Sequence, residues 1–130
     1  MDRPLRLEKE MTRVLLVEDE AVNRLYVRHI LSRHSFIIIE ARDGMEAVDA
    51  ALKENPDCIL MDIGLPRMDG MEAIRQIRSS QKEHRIPILA VTAHAQQADQ
   101  EEIMKSGADD ILHKPYKEKE ILEKLQRLLS

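Results

Sequence analysis

The chain has 130 residues, 43% of them apolar and 34% charged, and a formal net charge of −4. A chain of this length forms one domain and buries about two-thirds of its unfolded surface. The acidic balance argues against direct nucleic-acid binding, which needs a basic face, and no apolar stretch approaches the roughly 18 residues of a membrane span. The single cysteine, Cys58, lies inside an apolar run and reads as a buried small hydrophobe in a reducing compartment. Met1–Glu10 is mostly charged and lacks the hydrophobic region of a signal peptide. The expectation is a cytoplasmic protein with no membrane insertion.

Residues 1–11 read as a flexible extension and 12–130 as the domain. Val14-Leu15-Leu16-Val17 is a first strand running into Glu18-Asp19-Glu20. A helix follows, with Val27, Ile30 and Leu31 as its apolar stripe. Val22, Tyr26, His29 and Arg33 make a second stripe, which reads either as partly buried core or as an outward surface. Phe36-Ile37-Ile38-Ile39 is β-branched and ends at the turn signal Asp43-Gly44. Met45, Val48, Ala51 and Leu52 mark the next helical stripe, closed by Asn55-Pro56 because proline disfavours helix in the residue before it.

Cys58-Ile59-Leu60-Met61 then runs into Asp62, followed by Gly64, Pro66 and Gly70. An unbroken apolar run bounded by loop signals fits a strand buried on both faces. A lone aspartate at such a place is more often a helix cap or turn residue. The third helix carries Ile74 and Ile77, and Pro87-Ile88-Leu89-Ala90-Val91 is a fourth strand ending at Thr92. A polar helix follows with Ala95, Ala98 and Ile103, stopping at Gly107, a good C-terminal residue. Ile111-Leu112 is a short fifth strand ending at Lys114-Pro115. Ile121, Leu122, Leu125, Leu128 and Leu129 give a final amphipathic helix. Strands alternating with helices of this length imply a parallel α/β sheet covered on both faces.

In such a sheet the loops beyond the strands' carboxyl ends hold the functional groups. The first strand ends in Glu18-Asp19, the third in Asp62, the fourth in Thr92 and the fifth in Lys114. One such coincidence is cheap; four at matching ends are not. Crowded carboxylates raise one another's pKa unless a cation sits among them, and hard oxygen ligands suit Mg²⁺. A hydroxyl and an ammonium facing the same spot would hold an anion. Metal, threonine, lysine and a nucleophilic carboxylate are the parts of a phosphoryl-transfer site.

Glu18-Asp19, Met61-Asp62-Ile63, Leu65-Pro66-x-Met68-Asp69-Gly70, Val91-Thr92-Ala93 and Lys114-Pro115 resemble the signature set of response-regulator receiver domains, over Arg13 to about Leu129. The resemblance implies a flavodoxin-like (βα)5 doubly wound fold with strand order 2-1-3-4-5. It implies Asp62 as phosphoacceptor, and Glu18, Asp19, Asp62 and the backbone carbonyl of Gly64 as Mg²⁺ ligands. Thr92 and Lys114 would contact the phosphoryl group, with a cis bond to Pro115. The family's usual aromatic switch residue is here Ile111, a departure that puts the threonine–aromatic relay in question. His94 occupies a place that in the family influences acyl-phosphate hydrolysis; its alternative reading is an exposed residue at a helix start. Val22 and Tyr26 fall where a phosphodonor docks.

The implied partners are a histidine kinase or histidine phosphotransfer protein and a downstream protein. The chain would be a stand-alone receiver or one excised from a hybrid kinase, a signalling domain catalysing only its own phosphorylation and dephosphorylation. Two readings compete within the acidic set: a Mg²⁺-dependent phosphohydrolase with an aspartyl-phosphate intermediate, and a receiver-shaped interaction module that is never phosphorylated. A flavin-binding flavodoxin is disfavoured, because Glu18-Asp19-Glu20 would repel an anion where a phosphate loop should stand.

Overall fold

The structure is a computed structural model and describes residues 11–66, 68–80, 85–93 and 96–130. Five strands alternate with five helices: β1 (Thr12–Val17), α1 (Ala21–Ser32), β2 (Phe36–Ala41), α2 (Gly44–Lys53), β3 (Cys58–Asp62), α3 (Gly70–Ser80), β4 (Ile88–Thr92), α4 (Gln97–Ser106), β5 (Asp110–His113) and α5 (Glu118–Leu129). All strand pairs are parallel and the order is β2-β1-β3-β4-β5, the doubly wound arrangement expected. Every residue of β3 and β4 is buried, which is why their sequences read as unbroken apolar runs rather than alternating ones.

Two cores lie on opposite faces of the sheet. One packs Leu15, Ile59, Met61 and Ala90 against Ala47 of α2, Ile74 and Ile77 of α3 and Ile103 of α4. The other packs Val14, Leu16, Leu60 and Leu89 against Val27, Ile30 and Leu31 of α1 and Ile121 and Leu125 of α5. The α2 stripe differs from expectation. Ala47 and Ala51 are buried and Val48 is half-buried, whereas Met45 and Leu52 are exposed; short alanines let α2 sit close to the sheet, and its longer apolar side chains fall outside the contact. In α4, Ala98 is exposed and Ile103 and Ser106 are buried, while Ala95 lies outside the described residues. Residues 1–10 of the expected extension also lie outside them.

Specific residues fix the helix ends. Asp43 accepts from the Glu46 N–H at the start of α2 and Asp69 from the Glu72 N–H at the start of α3, both at 2.9 Å. Gly107 ends α4 at φ 123°, a left-handed backbone that glycine adopts without strain.

Candidate functional site

Four strand ends converge on one cleft, each fixed by a backbone bond to its neighbour. The Glu18 N–H donates to the Ala41 carbonyl at 3.0 Å, Ile63 to Val91 at 2.9 Å, and Lys114 to Thr92 at 2.8 Å. The parallel register sets Asp62 beside Val91 and Thr92 beside His113. Rigid strands therefore deliver the polar side chains that the apolar runs lead into.

Glu18, Asp19 and Asp62 each offer a carboxylate oxygen, and these atoms all lie within 4.8 Å of one another. Glu18 and Asp62 are buried, at 5% and 6% exposure, and Asp19 faces solvent. The Lys114 ammonium stands 3.4 Å from Asp62 Oδ2 and 3.6 Å from Glu18 Oε1. Burial pushes the Glu18 carboxyl above its ordinary pKa; the Glu20 backbone N–H opposes this, the Asp62 charge adds to it, and Lys114 and Asn23 lower it. The Gly64 N–H donates to Asp62 Oδ1 at 3.2 Å, orienting the carboxylate at the rim. Thr92 is buried at the end of β4, and the Lys114–Pro115 peptide is cis, as expected.

Oxygen-only donors, two of them buried and one with its pKa raised, form an electronegative pocket that Lys114 by itself leaves incompletely neutralised. A hard divalent cation satisfies such a set. A cleft of about 520 Å³ opens beside it, lined by Glu18, Asn23, Tyr26, Ala93, Lys114, Pro115 and Tyr116.

Residues 14–126 match the family model of the response regulator receiver domain. The chain belongs to that family. This receiver domain is 36% identical over 117 residues to the response regulator MprA of Mycobacterium avium, covering 90% of its own length and 50% of MprA; it thus spans about half the length of the curated relatives it matches. Among solved structures, it is similar to the receiver domain of the sensor histidine kinase PA1611 of Pseudomonas aeruginosa, which has a magnesium ion coordinated in its active-site cleft. The identity is 39% and the TM-score 0.85, over 92% of this chain and 98% of that one. The chemotaxis protein CheY4 of Vibrio cholerae follows at 33% identity and a TM-score of 0.86, over 92% and 99% of the two chains.

The receiver domain brings Glu18, Asp19, Asp62, Gly64, Thr92, Lys114 and Pro115 to one rim. Ile111 stands apart from them, 7% exposed, in the core beneath α4. His94 lies outside the described residues. The second α1 stripe faces outward: Val22 is 77% exposed, Tyr26 46%, and His29 and Arg33 are exposed too. The partly buried reading of that stripe is therefore wrong.

Two residues escaped the sequence reading. Tyr116 packs its ring against Tyr26, centroids 5.9 Å apart, and its carbonyl accepts from the Tyr26 hydroxyl at 3.3 Å; burial, with the nearby Tyr26, Glu18 and Asp62, raises its phenol pKa. Its place directly after Lys114-Pro115 was the available signal, but no periodicity links it to a residue 90 positions earlier. Arg24 bonds the Glu18 carbonyl, and nothing in the α1 pattern distinguishes it from a solvated cation.

Proposed function

We propose that Asp62 accepts a phosphoryl group from a histidine kinase or histidine phosphotransfer protein, and that the resulting charge switches the binding of a downstream protein. The observation that carries this is the grouping of Asp62 with Glu18 and Asp19 within 4.8 Å and with Lys114 at 3.4 Å. Glu18, Asp19, Asp62 and the carbonyl of Gly64 would hold Mg²⁺, which supplies charge neutralisation for the incoming phosphoryl oxygens.

In the transfer, a carboxylate oxygen of Asp62 forms the new O–P bond as the P–N bond to the donor imidazole breaks, and the imidazole leaves with its electron pair. Lys114, 3.4 Å from Asp62 Oδ2, and the Gly64 N–H on Oδ1 hold the attacking carboxylate in place. Lys114 then pairs with a phosphoryl oxygen, and the Thr92 hydroxyl donates to another. The phosphoryl group brings about two negative charges to a rim already acidic, so Lys114 and Thr92 must adjust, and the loop after Thr92 carries the change toward α4. The outward Val22, and Tyr26 in the wall of the cleft, would receive the donor protein. The domain runs over 12–130, in the cytoplasm, and acts on no substrate but its own phosphoryl group. Among the described residues, no helix is long and apolar enough to cross a membrane.

The test is intact mass after incubation with acetyl phosphate and Mg²⁺. One phosphoryl group should be added, and EDTA should abolish the gain. Equal labelling with EDTA present would overturn the metal assignment.

A further inference from the structure

Arg24 touches the acidic pair without supplying a carboxylate to it. Its Nη1 donates to the backbone carbonyl of Glu18 at 2.9 Å, and its own N–H donates to the Glu20 carbonyl at 3.0 Å. Its Nε stands 3.7 Å from Glu40 Oε1 on β2, and the side chain is only 16% exposed. Glu40 is held in turn by Arg28, through Nε at 2.9 Å and Nη2 at 2.6 Å.

The geometry matters because of what the Glu18 carbonyl is part of. It lies in the same rigid plane as the Asp19 N–H, so a bond to that oxygen sets the orientation in which the chain enters Asp19. The other side of Glu18 is fixed by its N–H on the Ala41 carbonyl. Asp19 is exposed, so the direction in which the chain enters it sets where its carboxylate stands. The cation beside the Glu18 carboxyl itself is Lys114 at 3.6 Å, so Arg24 acts through the backbone. A guanidinium fork can reach a carbonyl and a carboxylate at once, which an ammonium on a flexible stem does poorly.

We propose that Arg24, anchored by Glu40, is a positioning residue that pre-sets the Glu18–Asp19 pair for a divalent cation. This rests on the Mg²⁺ reading above. Partners one layer behind a metal's ligands typically change affinity by about 10–100-fold when removed, and Arg24 stands in that layer through the peptide it fixes.

The test is Mg²⁺ titration by calorimetry on the full chain, with melting temperature measured without metal. Arg24→Met should raise the Mg²⁺ Kd by about tenfold, and saturating Mg²⁺ should restore the rate of labelling by acetyl phosphate. Arg24→Lys should fall between this variant and the wild type. Glu40→Gln should shift the Kd in the same direction by less, and the Arg24→Met/Glu40→Gln double variant should be no worse than Arg24→Met alone. Arg28→Met removes the other ion pair of Glu40 while leaving the Arg24 bond to Glu18, so it should shift the Kd no further than Glu40→Gln does. An Arg28→Met Kd raised as far as that of Arg24→Met would reduce Arg24 to a general brace and overturn the proposal. An Arg24→Met Kd within twofold of wild type would overturn it as well. Should Arg24→Met fail to fold, Glu40→Gln decides, with an unchanged Kd counting against the proposal. Failure of the underlying metal reading looks different: the wild type itself would show no Mg²⁺ binding that Asp19→Ala removes.

Discussion

Gly70 is the position at which a single added methyl group should disturb Asp62 without touching it chemically. A Cβ there would lie 2.4 Å from the Asp62 carbonyl oxygen, 2.7 Å from Ile63 Cα and 3.1 Å from the Asp62 carbonyl carbon. All three are backbone atoms of β3 or the residue directly after it, and no side chain can rotate out of the way. The Gly70 N–H also donates to the Ile63 carbonyl at 3.0 Å, so the loop cannot simply swing off. Gly70→Ala should therefore cost about 1–3 kcal/mol, the range for forced overpacking, or roughly 4–11 °C in melting temperature for a domain of this size. Labelling by acetyl phosphate should slow as well, because the strain is relieved by moving the backbone that carries Asp62. Gly64 is the control, since a Cβ there meets nothing within 4 Å, and Gly64→Ala should stay within about 0.5 kcal/mol of wild type. Thermal or urea unfolding of both variants, with intact-mass labelling on the folded protein, gives the comparison. A Gly70→Ala protein as stable as Gly64→Ala and labelled at the wild-type rate would refute this reasoning.

Other outcomes follow from the same geometry. Ile111→Ala should cost roughly 2–5 kcal/mol as a buried aliphatic, while Ile111→Val should change phosphorylation-dependent protection of α4 in hydrogen exchange little; a large loss of that protection at nearly unchanged stability would make Ile111 part of the switch. Lys114→Ala should still take up phosphate but lose the protection change on phosphorylation, and an equal change in mutant and wild type would remove Lys114 from the coupling. In the metal-free protein the raised Glu18 carboxyl binds its proton more tightly folded than unfolded. Its favourable contribution is thus complete below its ordinary value and lost as pH rises through the folded one. The stability difference between Glu18→Gln and wild type should accordingly grow with pH in denaturant titrations with EDTA, and a difference independent of pH would contradict the burial of that charge.

What the chain order made legible was whatever depends on periodicity and on strand ends. β3 and β4 are buried on both faces, so their sequences announce themselves and hand Asp62 and Thr92 to the rim. Val27, Ile30 and Leu31, with Ile121 and Leu125, meet in one core because long apolar side chains recur at helical spacing. The α2 stripe misled for the opposite reason: alanines make the contact there, and Met45 and Leu52 are left outside it. Outward apolar residues on α1, such as Val22 and Leu25, look like core in a list of letters and separate from it only once the helix is laid on the sheet. The Tyr26–Tyr116 pair and the Arg24 bond to Glu18 join different parts of the fold through single atoms, and neither hydropathy nor spacing registers such contacts.

The central claim is that Asp62 carries the phosphoryl group, and the most direct measurement is intact mass of wild type and Asp62→Asn after acetyl phosphate and Mg²⁺, before and after hydroxylamine. An acyl phosphate is cleaved by hydroxylamine, whereas a phosphate ester on Ser, Thr or Tyr is not. One hydroxylamine-labile phosphoryl group is expected on the wild type and none on Asp62→Asn. Labelling of Asp62→Asn at the wild-type rate, or a label that survives hydroxylamine, would contradict it.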